Sequence, residues 1–179
     1  MDSPIPSYVD RILYPLVGTR MLELGNKVTG HTSYKSYFES IGIDHTSIDM
    51  NGLDGALKID LCNALDFEPF DMVTNFGTTE HVRCQEAVWR NIHNMIAVGG
   101  VLVSMTPMEG DWSWHGEWYP RPEFYHEFAN NGYKIEYLDI GRKSPNRNID
   151  VRMTKINAKK FVMPDMDTIY HNVKGHACP

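Results

Sequence analysis

Four short apolar runs in the first half of the chain each end on, or next to, a strongly hydrogen-bonding side chain. They are Arg20–Gly25 with Glu23, His45–Met50 with Asp49, Ala56–Leu61 with Asp60, and Phe70–Phe76 with Asn75. Runs of this length and apolarity suit strands buried on both faces, as in parallel sheets. Helical faces lie between them. In Thr32–Gly42, Tyr34, Tyr37, Phe38 and Ile41 fall on one face, with Thr32 or Ser33 as cap and Gly42 as stop. A second helix is expected from about Thr79 to Val98, presenting Val88, Ile92, Met95 and Ile96, with Gly99–Gly100 ending it.

Val101–Pro107 reads as a fifth strand. Pro122 opens a further helix and Asn131–Gly132 closes it. Tyr133–Ile140 and Ile149–Ile156 flank a loop short enough to make them an antiparallel hairpin. The expected fold is therefore α/β, an open, mostly parallel sheet of seven strands with a C-terminal antiparallel hairpin. One domain over residues 1–160 and a polar tail over 161–179 are expected. Such sheets bind ligands beyond the carboxyl ends of their strands, where the polar residues stand.

Composition bounds the chemistry. The chain has 179 residues, 42% of them hydrophobic, and a net charge of −6. That charge argues against wholesale binding of nucleic-acid backbones. It is uneven: residues 1–120 carry 7 Lys/Arg against 16 Asp/Glu, and residues 121–179 carry 10 against 7. The cysteines, Cys62, Cys84 and Cys178, are odd in number and lack paired spacing, so no disulfide framework is expected. No CxxC or HExxH occurs, and no metal site is expected. The N-terminus has no basic-then-apolar signal pattern, and no apolar stretch is long enough for a membrane span. A reducing, cytoplasmic setting is the default expectation.

With these residues in view, the stretch from about Arg20 to Ile156 resembles the class I S-adenosylmethionine-dependent methyltransferases. "LELG" is similar to that family's first motif, "IDLCNA" to its adenine-binding segment, "FDMVTNFG" to its fourth-strand motif and "VGGVLVSMTP" to its turn into strand five. The resemblance implies a Rossmann-like three-layer sandwich, S-adenosyl-L-methionine as cofactor, and a small-molecule methyl acceptor. It implies Glu23 near the methionine ammonium, Gly25 and Asn26 at the cofactor turn, and Asp49 with Met50 at the ribose. Asp60 with Leu61 would meet the adenine, and Asn75, Phe76 and Gly77 the methionine arm. The turn after Glu23 departs from the family's acid-x-Gly-x-Gly-x-Gly: only Gly25 fits, with Lys27 and Thr29 at the later positions.

"NFGTTEHVRCQ" and "HGEWYPRPEFYHEFANNGYKI" are similar to segments of a bacterial subset of these enzymes. An oxygen or nitrogen acceptor that must lose a proton needs a base nearby, and His81, Glu80 and His115 are the candidates. Each also has a structural reading: His81 and Glu80 as first-turn residues, Glu80 as a capping-box acid, His115 as an aromatic-loop packing residue. Trp112, Trp114 and Trp118 can lid the site, or pack subunits together in an oligomer. Arg142, Lys143 and Arg147 offer positive charge to an anionic acceptor, or form a solvated basic turn. Two rival functions remain at this stage: lyase or aminopropyl-transfer chemistry on the same type of cofactor, and a non-catalytic binding domain.

Overall fold

The computed structural model describes residues 7–16, 18, 20–26, 28–29, 32–112, 114–141 and 147–172. The main sheet has seven strands: β1 Arg20–Leu24, β2 Asp44–Asp49, β3 Leu57–Lys58, β4 Phe70–Phe76, β5 Ile96–Pro107, β6 Tyr133–Ile140 and β7 Asn148–Lys155. Their spatial order is 3-2-1-4-5-7-6. β1 pairs in parallel with β2 and β4, β2 with β3, and β4 with β5. β7 runs antiparallel to both β5 and β6. The sequence expectation of a mostly parallel sheet closed by an antiparallel hairpin holds.

Alternation along the strands explains the layers, because successive side chains leave a strand on opposite faces. Met21, Met72, Val101 and Val103 join one core with Val9, Ile12 and Leu13 of helix α1 (Ser7–Leu13) and Tyr34 and Phe38 of helix α2 (Tyr34–Ser40). Their strand neighbours Leu22, Val73, Leu102 and Val151 join the other. That second core contains Val88, Trp89 and Ile92 of helix α3 (Gln85–Met95), and Phe124 and Tyr125 of helix α4 (Pro122–Glu127). Trp89 is its largest fully buried side chain. Its ring packs against Phe124 at 4.9 Å and Phe128 at 5.6 Å between centroids.

β7 ties both layers to the sheet. Arg152 Nη1 donates to the carbonyls of Ile12 and Leu13 at 3.1 and 2.9 Å, where α1 ends. Lys155 Nζ, on the opposite face, donates to those of His93 and Ile96 at 2.7 and 2.9 Å, where α3 ends. Each cation meets carbonyls that the helix leaves without an internal donor.

Several boundaries differ from the sequence reading. The helix expected over Thr79–Val98 is a single 3-10 turn, Thr79–His81, a break, and then α3, after which β5 already begins at Ile96. Ile41, expected on the apolar face of α2, lies beyond that helix and is exposed. Strand three shrinks to Leu57–Lys58. The side chains of Thr32 and Ser33, expected as caps, fall outside the described ones, as do residues Lys27 and Gly30 of the cofactor turn. Residues 161–172, expected as tail, pack on the sheet layer: Phe161 enters the α3 core and Ile169–His171 pairs with Trp118–Pro120.

The absence of disulfides is also corrected. Cys62 and Cys84 are bonded, with Cα atoms 5.3 Å apart. The fold brings the start of α3 beside the segment after β3, a proximity that spacing along the chain does not reveal. The bond removes the argument for a reducing compartment. No helix among the described residues is long and apolar enough to cross a membrane.

Candidate active site

A cavity of about 390 Å³ opens at the carboxyl ends of β1, β2, β3 and β4. Its wall includes Gly25, Ile48, Asp49, Met50, Ile59, Asp60, Leu61, Gly77, Thr78 and His81, and the disulfide cysteines Cys62 and Cys84 complete one side together with Val82 and Arg83. The volume falls within the range of sites that enclose a small molecule.

The strand-end acids are already oriented. Asp49 accepts the backbone N–H of Asn51 on Oδ1 at 2.9 Å and that of Asn26 on Oδ2 at 3.2 Å. Asp60 Oδ1 accepts the N–H of Cys62 at 2.8 Å. A carboxylate oxygen has two lone pairs, so each retains acceptor capacity toward a ligand. Asn26 is held in turn by its side-chain amide, which donates to Leu53 O at 3.0 Å.

Gly25 has φ +73°, in the left-handed region that favours glycine. A Cβ there would stand 2.4 Å from Thr78 Oγ1. That hydroxyl donates to Leu24 O at 2.7 Å, joining the β1 turn to the β4 turn. Thr78 therefore ties two loops together, and its side chain does not cap the turn. Asn75 caps it: its Oδ1 accepts the N–H groups of Thr78 and Thr79 at 3.2 and 3.1 Å. Its amide donates to Thr79 Oγ1 and Ser104 Oγ at 2.9 and 3.0 Å. Tyr125 completes this buried network on Ser104 and Thr106, and burial raises its pKa well above the ordinary phenol value. The hydroxyl is neutral at every physiological pH.

Four residues expected at the cofactor are not on the cavity wall. Asn26 stands behind Asp49, to which its N–H donates. Asn75 is fully buried inside the network just described. Phe76 lies in the α1/α2 core, edge-on to Tyr34. Glu23 is fully buried and pairs with His45 Nε2 at 3.1 Å, while the His45 ring stacks on Phe38. Strand parity carried the signal: Glu23 shares a face with Met21, two residues before it, and that face is core.

The base candidates do come together. Glu80, with its side chain 0% exposed, lies 3.8 Å from His81 Nε2 and 3.5 Å from His115 Nε2, both measured from Oε1. The loop carrying His115 is clamped onto this turn. Glu117 N–H donates to Glu80 O at 2.9 Å, Gly116 N–H to Tyr119 Oη at 2.9 Å, and that hydroxyl to Trp112 O at 2.6 Å. Gln85, missed in the sequence, pins the turn from the other side by donating to Thr79 O and Val82 O while accepting from Trp89 Nε1.

Arg147, read from sequence either as a contact for an anionic acceptor or as part of a solvated basic turn, grips Asp111 through Nε and Nη2, and its hydrogen bonds hold the Asp111 carboxyl below its ordinary pKa. Arg142 and Lys143 fall outside the described residues. Trp112 donates to Arg147 O, Trp118 stacks on His171, and Trp114 is exposed.

Solved structures share this fold. A methyltransferase from Mesorhizobium loti described as S-adenosylmethionine-dependent superposes with TM-score 0.63 at 13% identity, over 82% of this chain and 95% of that one. A Burkholderia thailandensis 1,6-didemethyltoxoflavin N1-methyltransferase, crystallised with its substrate and S-adenosylhomocysteine, gives 0.62 at 13%, over 83% and 76%. This chain has the class I methyltransferase fold. A [4+2]-cyclase, SpnF, also shares it, at 0.57 and 11% identity over 83% and 79%. The chain matches no family model, and no curated protein matches it by sequence. The likeness is one of fold, so the residues lining the cavity must carry the functional argument.

Proposed function

We propose that the protein is an S-adenosylmethionine-dependent methyltransferase acting on a small molecule. The observation that carries this reading is the cavity at the strand ends, walled by Gly25, Asp49, Asp60 and Gly77. In this reading Asp49 accepts both ribose hydroxyls and Asp60 the adenine amino group, while Met50 and Leu61 pack on the nucleoside. Gly25, Asn26 and Gly77 admit the methionine arm, with Asn75 and Phe76 acting from behind as supports. Glu23 contributes by holding β1 against β2.

The sulfonium supplies its own leaving-group activation. The chain's main task is then to align the acceptor in line with the methyl group, which is worth on the order of 7–11 kcal/mol in well-oriented systems. Glu80, His81 and His115 are the groups offered for removing or acidifying the acceptor proton, on oxygen or nitrogen. His81 stands on the cavity wall itself.

Calorimetry with S-adenosylhomocysteine tests the reading. The wild-type chain should bind, and Asp49→Ala should weaken binding on the order of 100-fold, as expected for two lost hydrogen bonds to a charged group. No binding by folded protein, or undiminished binding by the variant, sinks it. The cyclase that shares the fold makes a rearrangement of bound substrate the second reading. Product analysis separates the two, since methyl transfer yields methylated acceptor with S-adenosylhomocysteine in equal amount.

A further inference from the structure

A carboxylate removed from water requires donors or a cation, and leaving it without either is costly. Glu80 is removed from water, and among the described residues neither of its carboxylate oxygens receives a hydrogen bond. The two imidazoles facing it stand off at 3.5 and 3.8 Å. One ligand-type atom from each of Glu80, His81 and His115 lies within 4.8 Å of the other two. A tetrahedral ion with bonds of about 2.0–2.1 Å spaces its ligands by roughly 3.3 Å. The three groups stand somewhat wider apart than that, around one common gap, so an ion there would draw them inward.

The surroundings keep the gap open. A Cβ at Gly77 would stand 3.1 Å from Glu80 Oε1, and one at Gly116 would stand 2.8 Å from Glu80 Cγ. Both glycines leave room for the carboxylate, and the backbone clamp from Glu117 fixes the loop that brings His115 in. Two imidazoles and one carboxylate are the donors of a first-row transition ion; Ca²⁺ and Mg²⁺ prefer oxygen throughout. Three protein ligands also leave coordination positions for a substrate.

We propose that Glu80, His81 and His115 bind one divalent ion of the Zn²⁺, Mn²⁺ or Fe²⁺ class, and that the methyl acceptor is a hydroxyl compound that ligates this ion. The acceptor half rests on the methyl-transfer reading; the metal half does not. The ion acidifies the hydroxyl, as it does bound water. The hydroxyl proton passes to solvent, an oxygen lone pair forms the new C–O bond, and the methyl C–S bond breaks with its electron pair left on sulfur. The sequence offered all three residues as bases but not as one ligand set, because the third comes from a different loop.

The test uses the full chain without an affinity tag, stripped by chelator. Zn²⁺ binding is measured by calorimetry, Co²⁺ binding by its visible absorption, and S-adenosylhomocysteine binding in parallel. Wild type should take up one equivalent of Zn²⁺ and melt at a higher temperature with it. Glu80→Gln and His115→Ala should weaken Zn²⁺ by at least about 100-fold while keeping S-adenosylhomocysteine affinity within about threefold. His115 is partly exposed, so His115→Ala decides the matter should Glu80→Gln fail to fold. Folded wild type that takes up no ion, or a folded variant that takes it up equally well, overturns the proposal. Metal uptake without S-adenosylhomocysteine binding upholds the metal site and removes the methyl-transfer reading instead.

Discussion

The molecule contains two buried glutamates facing imidazole, and they differ in what surrounds them. Glu23 and His45 lie in the α1/α2 layer, with side chains 1% and 0% exposed, and Phe38 covers the ring. Glu80 is as deeply buried, yet His81 and His115 are 23% and 41% exposed, and His81 stands on the cavity wall. The first pair is closed off from solvent and holds β1 against β2. The second has the same donor types, a wider spacing and an opening. Chemistry follows access and spacing here, and the residue types alone do not distinguish a structural pair from a reactive group.

Stability measurements on the two glutamates give the sharpest way to break that comparison. Glu23→Ala leaves His45 buried opposite an empty space and should cost about 3–5 kcal/mol in urea denaturation, the range for breaking a buried pair. Glu80→Gln removes a carboxylate that lacks hydrogen-bond donors. It should leave stability unchanged or raise it by about 0.5–2 kcal/mol in metal-free protein, as often happens where function opposes stability. Equal losses at both positions would show that Glu80 is as structural as Glu23.

What was legible in the sequence divides along the same line. Both-face apolarity showed the strands, and the strand-end positions of Asp49 and Asp60 placed them at the cavity, because those features are local. The inward turn of Glu23 was available from its parity with Met21. The break after His81 was not, because nothing in "TTEHVRCQ" stops a helix by propensity. Asn75 and Gln85 shape that turn through contacts made only in the folded chain. The meeting of His115 with Glu80, and of Cys62 with Cys84, likewise depends on loops brought together by the sheet.

That disulfide supplies the second test, because it walls the cavity on the open side and has no counterpart beside Glu23. It closes a loop of sequence separation 22, worth about 3 kcal/mol by chain entropy. Reduction, or Cys84→Ser, should lower the denaturation midpoint accordingly and weaken S-adenosylhomocysteine binding. A stability loss with unchanged binding would show that the wall keeps its shape without the bond.

Asp150 extends the comparison to a buried acid with no imidazole at all. It stands on β7 directly opposite Asp139 of β6, and its Oδ1 receives no hydrogen bond among the described residues. Burial first, and the Asp139 charge second, push its pKa up to about 6. The unfolded value is about 3.9, so the native state holds the proton more tightly than the unfolded chain between those limits. Stability attributable to this group is therefore highest below about pH 4, falls as pH rises toward 6, and is flat above. After allowance for solvent screening the fall should be about 1–2 kcal/mol. Asp150→Asn should be more stable than wild type by that amount at pH 7 and equal to it near pH 4, as read from urea midpoints at the two pH values. An equal effect at both would mean that packing, not charge, decides, and that a buried acid in this sheet needs no partner to be tolerated.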